Sequence, residues 1–231
     1  MPLHGSPAEF WSHYQEKRAD VFAAGKGRSN YLVRLANKLT KGRCLLNIGC
    51  GSGYLEQRAR ENSWTVVSVD PDGKAIARLQ TLGVDARCGM IESLPVEAQS
   101  VDVVTCTEVF EHLTADSLNS GLEEIKRVLK PGGLLIGTVP YREDLSLNEV
   151  FCPDCKKTFH RWGHQQAFDE ASMRALLRSY FFVRKVKPVY LPTWGVAHWT
   201  GKLSMLARLV FSWIGVHGAN SNLLFVAVRI S

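Results

Sequence analysis

The sequence predicts an α/β domain built on a doubly wound parallel sheet, and three observations predict it. The stretch Arg43-Cys44-Leu45-Leu46-Asn47-Ile48-Gly49-Cys50-Gly51-Ser52-Gly53-Tyr54-Leu55 reads as an apolar strand, a turn with glycine at alternate positions, and the start of a helix. A second apolar run, Trp64-Thr65-Val66-Val67-Ser68-Val69-Asp70, ends in a carboxylate 17 residues after Gly53. Further strand-like and helix-like segments then alternate along the chain, the pattern of strands joined by crossover helices.

Composition sets the outer bounds. The 231 residues are 45% apolar and 22% charged, globular values for a chain able to bury a full core. The boundaries expected are capping helices over 1–40 and a main domain over 41–231, with inserts at 148–168 and 190–218. A net charge of +6 and a pI near 9.1 are compatible with nucleic acid or an anionic membrane surface as a partner. No run of five basic residues occurs, which favours a solvated surface. The chain opens without a charged-then-apolar signal, and no apolar run approaches the ~18 residues that span a bilayer. Six cysteines without such a signal point to reduced thiols and a cytoplasmic protein.

Taken in order, residues 8–39 carry two apolar faces, one through Phe10, Trp11, Tyr14, Val21 and Phe22 and one through Tyr31, Leu32, Leu35 and Leu39. Gly25-Lys26-Gly27 separates them. These helices either cap the sheet or close over a cofactor or substrate. At the glycine turn, only glycine lets backbone and ligand approach so closely, and the following helix aims unsatisfied N–H groups at that ligand. The dinucleotide fingerprint is excluded because Tyr54 occupies its sixth position, and a P-loop because no Gly-Lys-Ser/Thr follows. An acidic residue where Asp70 stands can accept hydrogen bonds from ribose hydroxyls. With Pro71-Asp72-Gly73 next, it can equally form a turn or helix cap. A helix over 73–82 ends at Gly83, and strands follow at Val84–Cys88 and Val101–Thr107. A helix over 116–129 leads to a strand at 134–140, and two last strands fall at Phe181–Val189 and Leu223–Ile230.

With its preceding strand, the Gly49–Gly53 turn resembles motif I of the class I S-adenosylmethionine (SAM)-dependent methyltransferases. Gly89-Met90-Ile91-Glu92-Ser93-Leu94-Pro95 resembles their adenine-flanking segment, and Glu108-Val109-Phe110-Glu111-His112-Leu113 their segment after strand four. Lys130-Pro131-Gly132-Gly133 matches their turn before strand five. The resemblance covers residues 43–140. It implies a Rossmann-like, seven-stranded, mostly parallel sheet in the order 3-2-1-4-5-7-6, with the last strand antiparallel. It also implies SAM as cofactor, held by Asn47, Gly49, Cys50, Gly51, Gly53 and Tyr54 around the turn. Asp70 and Pro71 follow at the ribose, Met90, Ile91 and Glu92 at the adenine, and Thr107 at the end of strand four. Two positions depart from the pattern. Met90 replaces a frequent Asp and is expected to pack on the ring while the Ile91 N–H contacts it. Asn47 replaces a frequent Asp, keeping the hydrogen-bonding shape without the charge.

Methyl transfer is an in-line displacement at an already activated sulfonium methyl, so the enzyme mainly orients the acceptor and removes a proton where needed. The residues suited to that are Glu108, Glu111 and His112, with Glu111 and His112 as the catalytic candidates. Their E-x-x-E-H arrangement resembles ubiquinone-type O-methyltransferases and some RNA methyltransferases that hold a divalent metal near the acceptor hydroxyl. One helical turn places 108 and 111 or 112 on one face. The alternatives are that Glu111-His112 only buttresses the turn, or that His112 serves as a base.

The stretch after strand five reads C-x2-C-x4-H-x3-H through Cys152, Cys155, His160 and His164. Two thiolates and two imidazoles suit a closed, structural Zn²⁺ site stiffening an acceptor lobe. A redox pair at Cys152 and Cys155, or His164 in the active site instead, are the competing readings. Residues 190–218 are rich in aromatic and aliphatic side chains. A helix over Lys202–Val216 is either a core helix or a lid that meets a lipid-linked acceptor or membrane surface.

Together these features predict a SAM-dependent methyltransferase, most simply one acting on a hydroxyl of a small molecule such as a sugar or lipid-linked glycan. An RNA or protein methyltransferase using the basic surface and the zinc knuckle, and a non-catalytic SAM-binding scaffold, are the alternatives.

Overall fold

The computed structural model describes residues 25–192, 198–213 and 221–230. The apolar positions from Phe10 to Phe22, and part of the 190–218 stretch, lie outside the described residues. In chain order the elements are α1 (Lys26–Leu39), β1 (Cys44–Ile48), α2 (Tyr54–Glu61), β2 (Thr65–Asp70), α3 (Gly73–Thr81) and β3 (Asp85–Cys88). β4 (Val101–Thr107), a 3-10 turn (Phe110–His112), α4 (Ala115–Val128) and β5 (Leu129–Pro140) follow. A second 3-10 turn (Leu145–Asn148), β6 (Glu149–Phe151), β7 (Thr158–His160), α5 (Glu170–Arg178), β8 (Phe182–Val189), α6 (Trp199–Trp213) and β9 (Asn222–Val228) complete the described elements.

Seven strands form one sheet in the order β3-β2-β1-β4-β5-β9-β8. Because β6 and β7 pair only with each other, this is the expected 3-2-1-4-5-7-6 order counted within the sheet. β9 runs antiparallel to both β5 and β8, and the first five strands are parallel.

Neighbouring residues along each strand alternate between two cores. Leu46 and Val104 face Leu118, Leu122 and Ile125 of α4, and Met173 and Leu177 of α5. Leu45 and Val103 face Leu32, Val33 and Ala36 of α1, Leu55 and Ala59 of α2, and Ile76 and Leu79 of α3. Burial on both faces explains why the strands read as continuous apolar runs. Side chains fix the helix starts: Asp72 accepts the Lys74 N–H, Thr114 accepts the Ser117 N–H, and Asp169 forms a capping box with Ser172.

α6 is not a core helix. Trp199, Leu203, Leu206, Val210 and Phe211 are each more than half exposed. No described helix is long and apolar enough to cross a membrane.

Candidate functional site

The site lies along the carboxyl edge of the sheet, where β1, β2, β4 and β5 end. The β1–α2 turn is built by three glycines at positive φ: Gly49, Gly51 and Gly53. Gly49 sits so close to the β4 turn that an added Cβ would meet Val109 Cγ2 at 2.8 Å, which puts the two turns in direct contact. Gly53 caps α2 in a left-handed conformation and provides no side-chain cap, so the helix's first N–H groups are left for a ligand. Asp70 is 7% exposed and braces the turn: Oδ2 accepts the Cys50 N–H at 2.8 Å and Oδ1 the Asp72 N–H at 2.8 Å. Asp70 therefore forms the turn foreseen as its alternative role, while its remaining lone pairs stay at the edge of the site. α1 reaches both turns, through Asn30 to the Tyr54 hydroxyl and through Arg28 to Glu108.

Under the glycine turn lies a buried polar cluster that sequence reasoning missed. Asn47, 1% exposed, donates through Nδ2 to Glu56 Oε1 at 2.7 Å, and Ser68 donates to the same oxygen at 2.6 Å. Thr105 donates to Asn47 Oδ1 at 2.8 Å. Burial raises Glu56 above the usual carboxylate range. Asn47 thus supports the turn from below, and its amide is the donor that a neighbouring carboxylate requires. The signal was present: Glu56 falls on the helical face of Leu55 and Ala59, the buried side of α2.

Of the adenine candidates, Met90 is 49% exposed and paired in an isolated bridge with Ser93. Ile91 is buried against Gly121 of α4. Thr107 closes β4, and Cys50 is buried, which pushes its thiol pKa up.

Beyond β4 the chain does not continue as one helical turn. Glu108 adopts a left-handed backbone, φ 54°, before the 3-10 turn, so it does not share a helix face with Glu111 and His112. A non-glycine residue held there is strained, as residues at functional sites often are. Its carboxylate is already engaged, Oε1 by Thr138 and Asn222 and Oε2 by Arg28 at 3.4 Å. Glu111 differs. It is 1% exposed, and neither carboxylate oxygen has a hydrogen-bond partner among the described residues. Burial, with Glu108 adding to it, raises it well above the ordinary range. His112 lies beside it, Nε2 4.0 Å from Glu111 Oε1, and burial reinforced by His164 pushes it down to about 3.

His164 joins this pair. The loop that carries it is stitched to the 3-10 turn, with the Gln165 and Gln166 N–H groups donating to the Glu111 carbonyl. Their side chains donate to the carbonyls of His112 and Leu113. The result is a group in which one ligand atom each from Glu111, His112 and His164 lies within 4.8 Å of the others. A second such group joins Glu143, His160 and His164.

Neither group contains a cysteine, so the four residues predicted as one zinc knuckle are not assembled. The β6–β7 hairpin gives the reason. Cys152 and Cys155 sit at its exposed tip, closed by bonds between Cys152 and Lys157 and between Lys156 and Cys152. His160 sits at its base, opposite Glu149, and points inward with 9% exposure. An extended strand advances about 3.4 Å per residue, which carries His160 away from the thiols. His164 stands instead beside Glu111 and His112.

Residues 46–137, from β1 to β5, match the family of methyltransferase domains. A ubiquinone biosynthesis O-methyltransferase from Coxiella burnetii is 32% identical over 101 residues, 41% of this chain and 42% of that protein. The chain thus spans about two fifths of the length of the curated relatives it matches first. Among solved structures, a chain from the complex of the Haloferax volcanii Trm112 methyltransferase activator with a methyltransferase aligns at TM-score 0.70 and 19% identity, covering 96% of this chain and 98% of that one. The 1,6-didemethyltoxoflavin-N1-methyltransferase of Burkholderia thailandensis, solved with bound 1,6-didemethyltoxoflavin and S-adenosylhomocysteine, aligns at TM-score 0.66 and 16% identity over 100% of this chain and 93% of that one. The chain has the Rossmann-like methyltransferase fold, and its match to the methyltransferase domain family spans the first five strands.

Proposed function

We propose that the protein is a SAM-dependent methyltransferase acting on a hydroxyl group of a small molecule, sugars and lipid-linked glycans being the acceptor classes to try first. The observation that carries this reading is the group Glu111, His112 and His164, a buried carboxylate without hydrogen bonds among the described residues beside two imidazoles, held one turn away from the glycine loop.

The glycine turn, Asp70 and the Met90–Glu92 segment would bind the cofactor, whose methyl arrives already activated as a sulfonium. The chain's task is then orientation and control of the acceptor proton. Three protein ligands, two imidazoles and one carboxylate, suit a divalent cation with room for a further ligand, and the orphaned Glu111 oxygens fit that role. Such an ion lowers the pKa of a hydroxyl bound to it. Burial keeps His112 neutral, the form that ligates, while the strained Glu108, clamped by Arg28, Thr138 and Asn222, fixes the entry to the group. Cys152 and Cys155 have no part in this reading.

The test is calorimetric binding of SAM to the purified chain, with and without Zn²⁺, Mn²⁺ or Mg²⁺, followed by transfer of a labelled methyl to hydroxylated acceptors. Micromolar SAM binding and metal-stimulated transfer are expected. No SAM binding would remove the enzyme reading, and metal-independent transfer would return Glu111 and His112 to a buttressing role.

A further inference from the structure

The six cysteines fall into two groups. Cys44, Cys50 and Cys106 are partly or fully buried, and burial raises all three thiols, which suppresses their thiolates. Cys88, Cys152 and Cys155 reach the surface. Cys152 and Cys155 do so together, at the tip of the β6–β7 hairpin between Phe151 and Thr158.

The tip is a closed turn. The Cys152 N–H donates to the Lys157 carbonyl and the Lys156 N–H to the Cys152 carbonyl, both at 2.9 Å. Pro153 fixes its own φ and Lys156 takes a left-handed backbone, φ 57°, so the chain reverses over Pro153-Asp154-Cys155. A turn of this kind keeps its first and fourth Cα within about 7 Å, the reach of a disulfide. The side chains meet as well. The Cys155 N–H, the Cys155 thiol and the Asp154 N–H donate to the Cys152 sulfur, and these bonds hold the Cys152 thiol below its ordinary value. N–H groups aimed at a sulfur favour the thiolate, which is the nucleophilic form. Cys88 is the contrast within the same chain: it is exposed, but its sulfur faces the Pro71 carbonyl oxygen at 3.6 Å.

We propose that Cys152 and Cys155 form a thiol–disulfide exchange site, with Cys152 the attacking thiol, Cys155 the resolving thiol and a low-molecular-weight disulfide the reactant. The Cys152 thiolate attacks one sulfur of the disulfide R–S–S–R, whose S–S bond breaks and whose other half leaves as a thiolate that takes a proton from solvent. The Cys155 thiol then loses its proton to solvent and attacks the Cys152 sulfur, expelling the second thiolate and closing the Cys152–Cys155 bond. Two protein thiols are oxidised and one disulfide is reduced to two thiols. A divalent metal is a poorer occupant. Two thiolates supply half of a tetrahedral set, and His160, the next histidine along the chain, is turned inward to Glu143. The exchange uses neither the cofactor turn nor the Glu111 group, so it holds whether or not the chain transfers a methyl.

The experiment exposes the reduced full chain to oxidised glutathione and follows it by intact mass and peptide mapping. The wild type is expected to become lighter by two hydrogens, with Cys152 crosslinked to Cys155, no glutathione left on either and Cys50 and Cys106 unmodified. Excess dithiothreitol should reverse the change. Cys155→Ser should instead retain one glutathione on Cys152, because the resolving thiol is gone. Cys152→Ser should take glutathione on Cys155 at least about tenfold more slowly than that, and Cys88 should lag Cys152 by a similar factor. Absence of the crosslink, glutathione persisting on Cys152 of the wild type, or Cys88 reacting as fast as Cys152 overturns the proposal. So does a crosslink that forms only together with modification of Cys50 and Cys106, which marks an opened chain. A reduced pair that keeps one Zn²⁺ through gel filtration and no longer reacts would overturn it in favour of a metal site.

Discussion

Glu143 holds His164 at one carboxylate oxygen and stands against His160 at the other. Oε2 is hydrogen-bonded to His164 Nδ1, and Oε1 lies 3.4 Å from His160 Nε2. His160 Nδ1 accepts N–H bonds from Trp162 and His164 at 3.3 and 3.1 Å, which leaves its proton on Nε2, facing Glu143. His160 therefore buttresses the carboxylate rather than offering a lone pair to a metal. With Nδ1 of His164 committed to Glu143, its Nε2 is the nitrogen left for Glu111 and His112. A carboxylate that fixes the tautomer of a ligand histidine in this way typically contributes ten- to a hundredfold to metal affinity.

The first prediction follows. Glu143→Gln should lower the affinity of the site for Mn²⁺ or Zn²⁺ about 10- to 100-fold and leave SAM affinity unchanged. Long-range ¹⁵N–¹H spectra of the imidazoles should show His164 protonated at Nδ1 in the wild type and a mixture of tautomers in the variant. An unaltered tautomer pattern in Glu143→Gln would show that His164 is set by something else.

Asn47 and Glu56 yield the second. Asn47→Asp would replace the Nδ2 donor, 2.7 Å from Glu56 Oε1, with a second buried carboxylate. The expected loss is about 3–5 kcal/mol in urea unfolding. Adding Glu56→Gln, which supplies an amide donor, should recover most of it. A stable Asn47→Asp single variant would mean that the two side chains are not coupled.

The third concerns pH. Burial raises Glu56 above its ordinary value of 4.5, against the opposing hydrogen bonds from Ser68 and Asn47. A raised acid holds its proton more tightly when folded, so its stabilising contribution is complete below about pH 4.5 and is lost as pH rises through the folded value. Relative to Glu56→Gln, the wild type should lose stability by up to about 1.4 kcal/mol per pH unit over that range. Unfolding curves for both proteins from acid to neutral pH measure the difference. Parallel curves would place the Glu56 titration at its unfolded value.

What was legible in the sequence was what is local or periodic. The glycine turn, the apolar strands and the Lys130–Gly133 turn each declare themselves within a dozen residues, and the resemblance they carry supplied the strand order. The Asn47–Glu56 pair was not legible as a pair, because helical phase and strand register decide it jointly. The zinc knuckle failed for a related reason. The spacing C-x2-C-x4-H-x3-H is correct for a compact loop, but Thr158–His160 folds as a strand, which sends His160 inward to Glu143 and leaves the cysteines at the tip. His164 then reaches Glu111 only because Gln165 and Gln166 bind the 3-10 turn, a contact across more than fifty residues that no spacing encodes.

Glu111 carries the last prediction, in which stability and function move in opposite directions. A fully buried carboxyl group with no hydrogen bond to either oxygen among the described residues is unfavourable to the fold, and the neighbouring His112, kept uncharged by burial, does not offset it. Such a group persists where function requires it. Glu111→Gln keeps the shape and removes an acid whose ionised form burial disfavours, so the metal-free protein should gain about 1–3 kcal/mol at neutral pH. The same change removes the only carboxylate from the Glu111, His112 and His164 group. Metal binding should fall at least about tenfold, and methyl transfer with it, while SAM binding stays as in the wild type. A variant that is both less stable and fully active would reverse the assignment, making Glu111 a structural residue whose partners form only in solution.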